Sequence, residues 1–429
     1  MKSRFSKSFR LAEQTGLALL TFTLCLGFIP QRAPAACTQL QWQYQYLSQS
    51  PPARLGHAMA YDSFRGVTIL FGGLDTNQVV LGDTWRFDNH GWKQLQPAHV
   101  PPARFRHTLS YDASRGVIVL FAGRDLNSNL GDLWEWNGAD WTPITIASNN
   151  PPARHWHGMA FDSLRGVHVL FGGYVSGSQE YADTWEYNGN AHTWTLRANT
   201  GPSARREIAL AYNATWNQMV LFGGYTSGGA NLPDHYLSDT WFWNGQSGVW
   251  NQQNPATVPQ GRALYNMAYD SVRSVVLMQN GEIAFDATHT ATVADSWEWD
   301  GVDWSDRSGS YSFYAPRRES AMAYELAHQR MIMFAGSGAY PDATWSLEPT
   351  WELSGFVRVD WTTQPGQYPN TYQTVRQGLS AAPDCTEIPI RVGDYNETFF
   401  GFVPLVITKP VKLSTYSFFG DASTTVHIH

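Results

Sequence analysis

The sequence predicts an all-β protein made of six similar repeats, and three observations support this prediction. Short apolar segments alternate with turns rich in Gly, Pro and Asp over residues 40–355, and no helical period runs through them. Aromatic residues make up 14% and charged residues only 15% of the 429-residue chain, which excludes intrinsic disorder and a coiled coil. One sequence pattern also returns about every fifty residues, as in a repeat architecture.

Each repeat begins at an arginine, which ends a Pro-Pro-Ala-Arg segment in the best copies. These repeat arginines are Arg54, Arg104, Arg154, Arg205, Arg262 and Arg317. A small or polar residue follows each of them after eighteen positions: Gly72, Ala122, Gly172, Gly223, Asn280 and Ala335. Because each arginine recurs at the same place of a structural unit, we expect it to be buried and to tie adjacent units together.

Four short strands can be assigned to every repeat. Two apolar strands flank an Asp-x-x-Arg-Gly turn, the third strand begins at an Asp-x-Trp segment, and the fourth begins at another tryptophan. Four antiparallel strands in each of six copies are typical of a β-propeller with six blades. The sixth blade has two candidate outer strands, residues 42–50 and residues 351–353. We favour residues 42–50, because pairing the first strand with the last blade removes two exposed sheet edges.

The repeats resemble those of a known family. The Arg-x-x-His start, the paired glycines after an apolar strand and the spaced aromatic residue near the end of each unit are similar to kelch repeats. The resemblance implies a six-bladed kelch-type β-propeller over residues 36–355. Unit five departs most, because residues 278–281 replace Phe-Gly-Gly. Kelch-type copper oxidases need a cysteine beside the metal-bound tyrosine, and residues 38–384 contain none, so that chemistry is excluded.

Residues 1–35 are predicted to be a secretory signal peptide. A basic start is followed by the apolar run at residues 17–29 and by the small-residue cleavage site Ala33-Pro34-Ala35. We therefore expect a secreted or periplasmic protein. Lipid anchoring through Cys37 is the weaker alternative, because Pro34 stands where such a signal needs leucine.

Residues 356–429 break the repeat and are expected to form a short β-rich appendage. Residues 372–382, 388–398 and 409–413 resemble the capping helix and first coil of a pectin-lyase-like right-handed β-helix. One or two coils cannot bury a solenoid core alone, so the appendage must dock or pair.

Cys37 and Cys385 are the cysteines that remain after signal removal. We expect a disulfide between them, with two free thiols as the alternative.

Composition and motifs exclude several classes of function. A formal net charge of −7 argues against a nucleic-acid partner, and no segment beyond the signal is apolar for long enough to span a membrane. Phosphate-loop, dinucleotide, Gly-x-Ser-x-Gly and His-Glu-x-x-His motifs are absent, so no cofactor or reaction class is predicted.

His57, His107 and His157 could be read as a three-histidine zinc site. Their equivalent places in consecutive repeats favour a structural role without metal. We expect a monomer.

Candidate ligand-binding residues occupy the two positions after each repeat arginine, where the chain enters the innermost strand near one mouth of the channel. These positions change between apolar and charged residues from copy to copy, as is typical of binding residues carried by a repeated structural framework. The candidates are Arg106, His155, Trp156, Arg206, Glu207, Arg318 and Glu319. The long loops at residues 225–238 and 282–294 are expected to flank the same mouth.

These residues favour an exported binding module that engages a protein or a glycan through one propeller face. Guanidinium groups and tryptophan suit an anionic or sugar-like ligand. Replacing Arg106, Arg206 and Arg318 together by alanine is expected to abolish binding with little change in stability. Two alternatives remain: a periplasmic carbohydrate-active enzyme of the sugar epimerase or mutarotase type, with an Arg and Glu pair at the mouth, and a structural envelope component.

Overall fold

The computed structural model describes residues 39–146, 149–177, 180–228, 235–311, 315–338 and 341–350, together with four short strands beyond residue 357. Six antiparallel sheets follow one another along the chain, and the innermost strand of each contacts the innermost strands of both neighbouring sheets. The sheets therefore close into a ring around a central channel. This confirms the predicted six-bladed β-propeller.

The first three blades follow the predicted four-strand plan, counted from the channel outward. The chain enters through β1 (Gln39–Tyr44) and the short β2 (Arg54–Leu55). Blade 1 consists of β3 (Ala58–Asp62), β4 (Val67–Asp75), β5 (Val80–Asp88) and β6 (Gly91–Leu95). Blade 2 consists of β7 (Thr108–Asp112), β8 (Val117–Phe121), β9 (Leu133–Trp136) and β10 (Trp141–Ile144). Blade 3 consists of β11 (Gly158–Asp162), β12 (Val167–Phe171), β13 (Thr184–Asn188) and β14 (Thr193–Ala198).

Blade 4 keeps this plan, whereas units five and six carry additional strands. Blade 4 consists of β15 (Leu210–Asn213), β16 (Gln218–Tyr225), β17 (Tyr236–Asn244) and β18 (Val249–Gln253). The next strands are β19 (Arg262–Ala263), β20 (Asn266–Asp270), β21 (Val275–Gln279), β22 (Glu282–Ala284), β23 (Thr290–Thr292), β24 (Ser296–Trp299) and β25 (Trp304–Asp306). Of these, β20, β21, β24 and β25 form blade 5, whereas β19, β22 and β23 form a small separate sheet. The long loop of unit five is therefore partly folded into strands.

The first strand of the chain completes the last blade. After helix α1 (Ser308–Tyr311), the chain forms β26 (Arg317–Arg318), β27 (Ala321–Glu325), β28 (Arg330–Phe334), β29 (Ser337–Gly338) and β30 (Thr344–Thr350). β1 pairs antiparallel with β30, and the Trp42 indole donates a 3.1 Å hydrogen bond to Gln279 Oε1 in blade 5. The predicted N-terminal closure is confirmed. The alternative outer strand, residues 351–353, lies outside the described residues.

The repeat arginines are buried and hold each blade together. Arg154 shows the pattern, because its guanidinium donates bonds of 2.6 and 2.8 Å to the Asp183 carboxylate and one of 2.9 Å to the backbone oxygen of Gly172. The side chain therefore joins parts of its own blade. Its backbone oxygen accepts a 2.9 Å bond from Gly123 N in blade 2, so the main chain makes the link between blades. The expected structural role is confirmed: the side chain stabilises its own blade, and the main chain connects that blade to its neighbour.

The residue eighteen positions after each repeat arginine has a left-handed backbone, with φ of +64° at Gly72 and +58° at Ala122. A Cβ atom on Gly72 would lie 2.5 Å from the backbone oxygen of Arg104 in the next blade. A large side chain would therefore strain the main chain and push two blades apart. This explains why the sequence keeps small or polar residues at that position.

The fourth-strand tryptophans bind the preceding blade. In blade 2 the indole of Trp141 donates a 3.0 Å hydrogen bond to Thr84 Oγ1 of blade 1. The equivalent bonds are made by Trp92, Trp250 and Trp304. Blade 2 has Leu133 at the threonine position, and the Trp194 indole nitrogen of blade 3 accordingly has no hydrogen-bond partner within the described ranges.

Two strand pairs are described beyond the propeller. β31 (Arg358–Val359) pairs in parallel with β32 (Thr371–Tyr372), and β33 (Glu387–Val392) pairs in parallel with β34 (Lys412–Ser417). Parallel pairing is what a β-helix coil needs, but most residues of the appendage lie outside the described ranges, so its β-helix resemblance stays a prediction. The same holds for the signal peptide and for the Cys37–Cys385 disulfide. In the part of the chain that the structure describes, no helix is long and apolar enough to cross a membrane.

Candidate functional site

Six residues, one from each blade, form a closed ring at one mouth of the channel. They stand two positions after the repeat arginines and are Gly56, Arg106, Trp156, Glu207, Leu264 and Glu319, which we call the mouth ring. Each donates its backbone N–H to the backbone oxygen of the preceding member, over N···O distances of 2.6 to 3.2 Å. Gly56 donates to Glu319, which closes the ring and ties every blade to both neighbours.

All members of the mouth ring have a left-handed backbone, with φ between +53° and +63°. This conformation costs a non-glycine residue on the order of 1 kcal/mol, and the ring of hydrogen bonds holds five such residues in it. Stored strain of this kind is concentrated at functional sites. Because the ring uses one main-chain N–H and one C=O of every member, the side chains supply the chemistry at this mouth.

On one side of the mouth an ion pair spans a glycine. Arg106 donates two hydrogen bonds of 3.1 Å to the Glu319 carboxylate. Gly56 lies between their blades, and a Cβ atom there would stand 3.2 Å from both side chains. The guanidinium carbon of Arg106 also lies 3.8 Å from the centroid of the Trp156 ring, so it makes a cation–π contact. These contacts fix Arg106 in place.

On the other side an arginine is enclosed by aromatic rings and carboxylates. The guanidinium carbon of Arg206 lies 4.5 Å from the Tyr174 ring centroid and 4.6 Å from that of Tyr225. Its nitrogens donate to Glu180 and, over 3.2 Å, to Glu207 Oε1. Tyr174 and Glu180 of blade 3 thus meet Tyr225, the first residue of the long loop of unit four, at this mouth.

The third arginine has its own acidic partner on the loop of unit five. Arg318 forms an ion pair with Glu282, and the Tyr236 hydroxyl donates a 2.6 Å hydrogen bond to the same carboxylate. The structure thus brings six of the seven predicted site residues to one mouth, but each arginine already has an acidic partner. Replacing all three arginines by alanine would leave these carboxylates without their cationic partners, so we now expect that variant to lose stability as well as binding.

His155 differs from the other six candidates because it is fully buried. Its ring lies 4.7 Å from the Trp156 ring, and its Nδ1 lies 2.8 Å from Asn129 Oδ1. Burial, followed by the charges of Arg106 and other arginines, lowers the pKa of His155 to about 3. The histidine is therefore neutral at pH 7, and its buried ring packs beside Trp156.

Glu207 combines burial with a central position. Burial raises the pKa of Glu207 from 4.5 to about 6, although the nearby Arg206 opposes this shift. The carboxyl group therefore titrates near neutrality. Such a group can take up or release a proton under physiological conditions.

We expect the Glu207→Gln variant to lose part of the pH dependence of stability. A folded-state pKa above the unfolded-state value means that the folded protein binds the proton more tightly. Wild-type stability should then fall by about 2 kcal/mol relative to the variant as the pH rises from about 3.5, below the unfolded-state pKa, to about 7, above the folded-state pKa. Urea unfolding of both proteins at a series of pH values measures the difference. A difference that stays constant over this range would contradict the assignment.

Tyr174 and Glu180 were not predicted for this mouth, and Tyr225 and Glu282 were included only as the first residues of the two long loops. Tyr174, Tyr225 and Glu282 stand two positions after the small or polar residue of their repeats, at the place where each pairs with the residue after the repeat arginine. Equivalent positions in the other copies are Leu74, Arg124 and Ser337. The same copy-to-copy variation that indicated Arg106 would have revealed them. Glu180 lies in a loop and gave no such signal.

The three repeat histidines pack against aromatic rings. His107 and His157 lie 5.6 Å from the rings of Phe71 and Phe121, and His57 lies 5.5 Å from Phe334. Burial lowers the pKa of all three. No group of three or more His, Cys, Asp or Glu side chains is arranged to hold a metal ion in the residues that the structure describes.

Comparisons with known proteins agree with this architecture. Residues 137–336 match the family model described as the KLHDC2/KLHL20/DRC7 Kelch-repeats domain. The solved structure of YjhT superposes with a TM-score of 0.54 at 13% sequence identity, covering 70% of this chain and 95% of YjhT. At this identity the likeness shows the fold alone. No curated protein matches the sequence.

Proposed function

Because the body of the chain is a six-bladed β-propeller of kelch repeats, we propose that it is an exported binding module that engages a protein or a glycan through the mouth ring. The observation that carries this proposal is the closed ring of backbone hydrogen bonds, which presents one residue with a left-handed backbone from each blade around a single opening. Export to the periplasm or beyond follows from the predicted signal peptide and belongs to the same proposal.

The side chains of this mouth suit a polar ligand with some apolar surface. The pairs Arg106–Glu319 and Arg206–Glu207 offer donors and acceptors next to each other, and both are half-buried, where charged hydrogen bonds are stronger than in water. Trp156 and Tyr174 add aromatic surface beside them. A ligand rich in hydroxyl, amide or carboxylate groups can bond to such pairs without leaving a buried charge unpaired.

We expect the double variant Arg106→Gln/Glu319→Gln to lose ligand binding while remaining folded. Because both charges are removed together, no buried carboxylate is left without its cationic partner, and stability should change little. Full-length protein is applied to a glycan array, and wild type is compared with the variant and with Arg65→Gln on the opposite propeller face. Wild type and Arg65→Gln should retain the same glycan, and the double variant should not. Undiminished retention by the double variant would place the site elsewhere.

A second function, a sugar epimerase or mutarotase, is favoured by the raised pKa of Glu207 beside Arg206. A carboxyl group that titrates near pH 6 can serve as a general acid or base. Incubation with single sugar anomers, followed by NMR, separates the two functions, because a binder leaves the anomer ratio on its uncatalysed time course. An enzyme would speed the exchange, and Glu207→Gln would remove that acceleration.

A further inference from the structure

A second cleft lies on the side of the propeller, between blades 4 and 5. It has a volume of about 560 Å³, and its lining includes Trp216, Gln218, Asn244, Asn251, Gln253 and Val302. We call it the lateral cleft. Every residue that lines it is uncharged, which contrasts with the paired charges at the mouth ring.

The lateral cleft lies where blade 4 departs from a charged pattern. In blade 3, Arg165 of the Asp-x-x-Arg-Gly turn donates 2.7 Å bonds to Asp162 and to Glu186 on the third strand. Blades 2 and 5 carry the same three-residue network. Blade 4 replaces its members together, with Asn213, Trp216 and Phe242 at the equivalent places. Among blades 2 to 5, blade 4 alone lacks these three charged residues, and it has the aromatic pair Trp216 and Phe242 at two of their positions.

Trp216 packs against Gly301 of the next blade. A Cβ atom on Gly301 would lie within 2.4 to 2.7 Å of three carbons of the indole, so the ring rests on a backbone without a side chain. Arg165 rests on Gly245 in the same manner. Trp216 nevertheless remains 37% exposed and lines the lateral cleft. One side of the indole is therefore fixed by the protein and the remainder is available to a ligand.

Amide side chains surround this aromatic surface. Asn244 Oδ1 accepts bonds of 3.0 and 3.1 Å from the backbone of its turn, which fixes the side chain by its oxygen and leaves its amide nitrogen as a donor outside the turn. Asn251 and Gln253 stand on the last strand of the blade, beside Phe242 and Thr240 on the third. Amides both donate and accept hydrogen bonds, as hydroxyl groups require.

We propose that the lateral cleft binds a neutral carbohydrate, whose apolar ring face stacks on Trp216 while its hydroxyl groups bond to the surrounding amides. The absence of charge from the lining disfavours ionic ligands, and the amides disfavour a purely apolar one. This site is independent of the mouth ring, since it shares no residue with it.

The proposal is tested with full-length protein and three neutral trisaccharides: cellotriose, maltotriose and triacetylchitotriose. Saturation-transfer NMR and calorimetry should detect binding of at least one of them, with an affinity unchanged between about 0.05 and about 0.5 M NaCl. Trp216→Ala should weaken this binding at least about tenfold, as expected for loss of an aromatic contact. Phe64→Ala removes an exposed aromatic residue from the equivalent turn of blade 1 and should leave the affinity unchanged.

Because Trp216 also packs on Gly301, its replacement could unfold the blade. Asn251→Ala/Gln253→Ala leaves that packing intact and should weaken binding in the same direction. Arg106→Gln/Glu319→Gln should bind as wild type, which separates this site from the mouth ring. The proposal is overturned if wild type binds none of the three sugars at about 10 mM, or if the double amide variant binds with wild-type affinity.

Discussion

Replacing Arg154 by alanine is expected to lower the free energy of unfolding by about 3–5 kcal/mol. The guanidinium is fully buried and bonds to Asp183, to the backbone of Gly172 and to that of Pro152. Alanine would leave two carbonyl oxygens without their donor, and the mostly buried Asp183 carboxylate would lose its cationic partner while keeping the bond from the Trp185 indole. An uncompensated buried charge is among the most destabilising results of a single substitution.

Urea unfolding of Arg154→Ala measures this loss, with two variants as controls. Arg154→Lys keeps the charge but cannot make the two-pronged bond to Asp183, so its loss should be intermediate. Arg307→Ala removes an exposed guanidinium from the buried Glu298, which keeps Arg273 and the Tyr311 hydroxyl as partners, and should cost no more than about 1 kcal/mol. If Arg154→Ala lost as little as Arg307→Ala, the arginine would not be the support of its blade.

Replacing Trp185 by alanine should also cost about 3–5 kcal/mol. The indole is 6% exposed and packs in one cluster with Phe121 of blade 2 and Leu170 of its own blade. It also donates a 2.7 Å hydrogen bond to Asp183. Trp185→Phe should recover the part of the stability that depends on ring burial. A measured loss below about 1 kcal/mol for Trp185→Ala would refute the packing assignment.

The two substitutions should not be additive. Arg154 and Trp185 share the carboxylate of Asp183, so the double variant should lose less than the sum of the single losses. An arginine and a tryptophan bond to one carboxylate in the same way around Asp83, Asp132, Asp239 and Asp295. The same coupling should therefore recur in those blades.

The repeat pattern was sufficient to predict the blades, because local contacts within about fifty residues define each one. It also located Arg106, Trp156, Glu207 and Glu319 at one mouth. The pairing of Arg106 with Glu319 could not be predicted, since these residues are 213 positions apart and meet only when the ring closes over Gly56. Side-chain partners across blades depend on that closure and on rotamers, which a repeat pattern does not specify.

The lateral cleft illustrates a different limit. Trp216 is visible in the sequence as a departure from Asp-x-x-Arg-Gly, but a single departure does not show whether the residue is exposed or buried. Its contact with Gly301 depends on the position of the next blade. Only the combined loss of the aspartate, the arginine and the third-strand glutamate in one blade indicates a site.

The strand that closes the ring has a consequence for the order in which the molecule is made. Gln45, which directly follows the first strand, donates a hydrogen bond to Ser346 of the last strand, 301 positions away. During synthesis the first strand must remain without its partner until nearly the whole propeller has left the ribosome. Blades 1 to 5 can each assemble from neighbouring segments, whereas the sixth requires the two most distant ones, and such non-local pairing is slow. A nascent chain that stopped before residue 344 would therefore be an open ring with two unpaired edges, prone to join other chains in place of its own end.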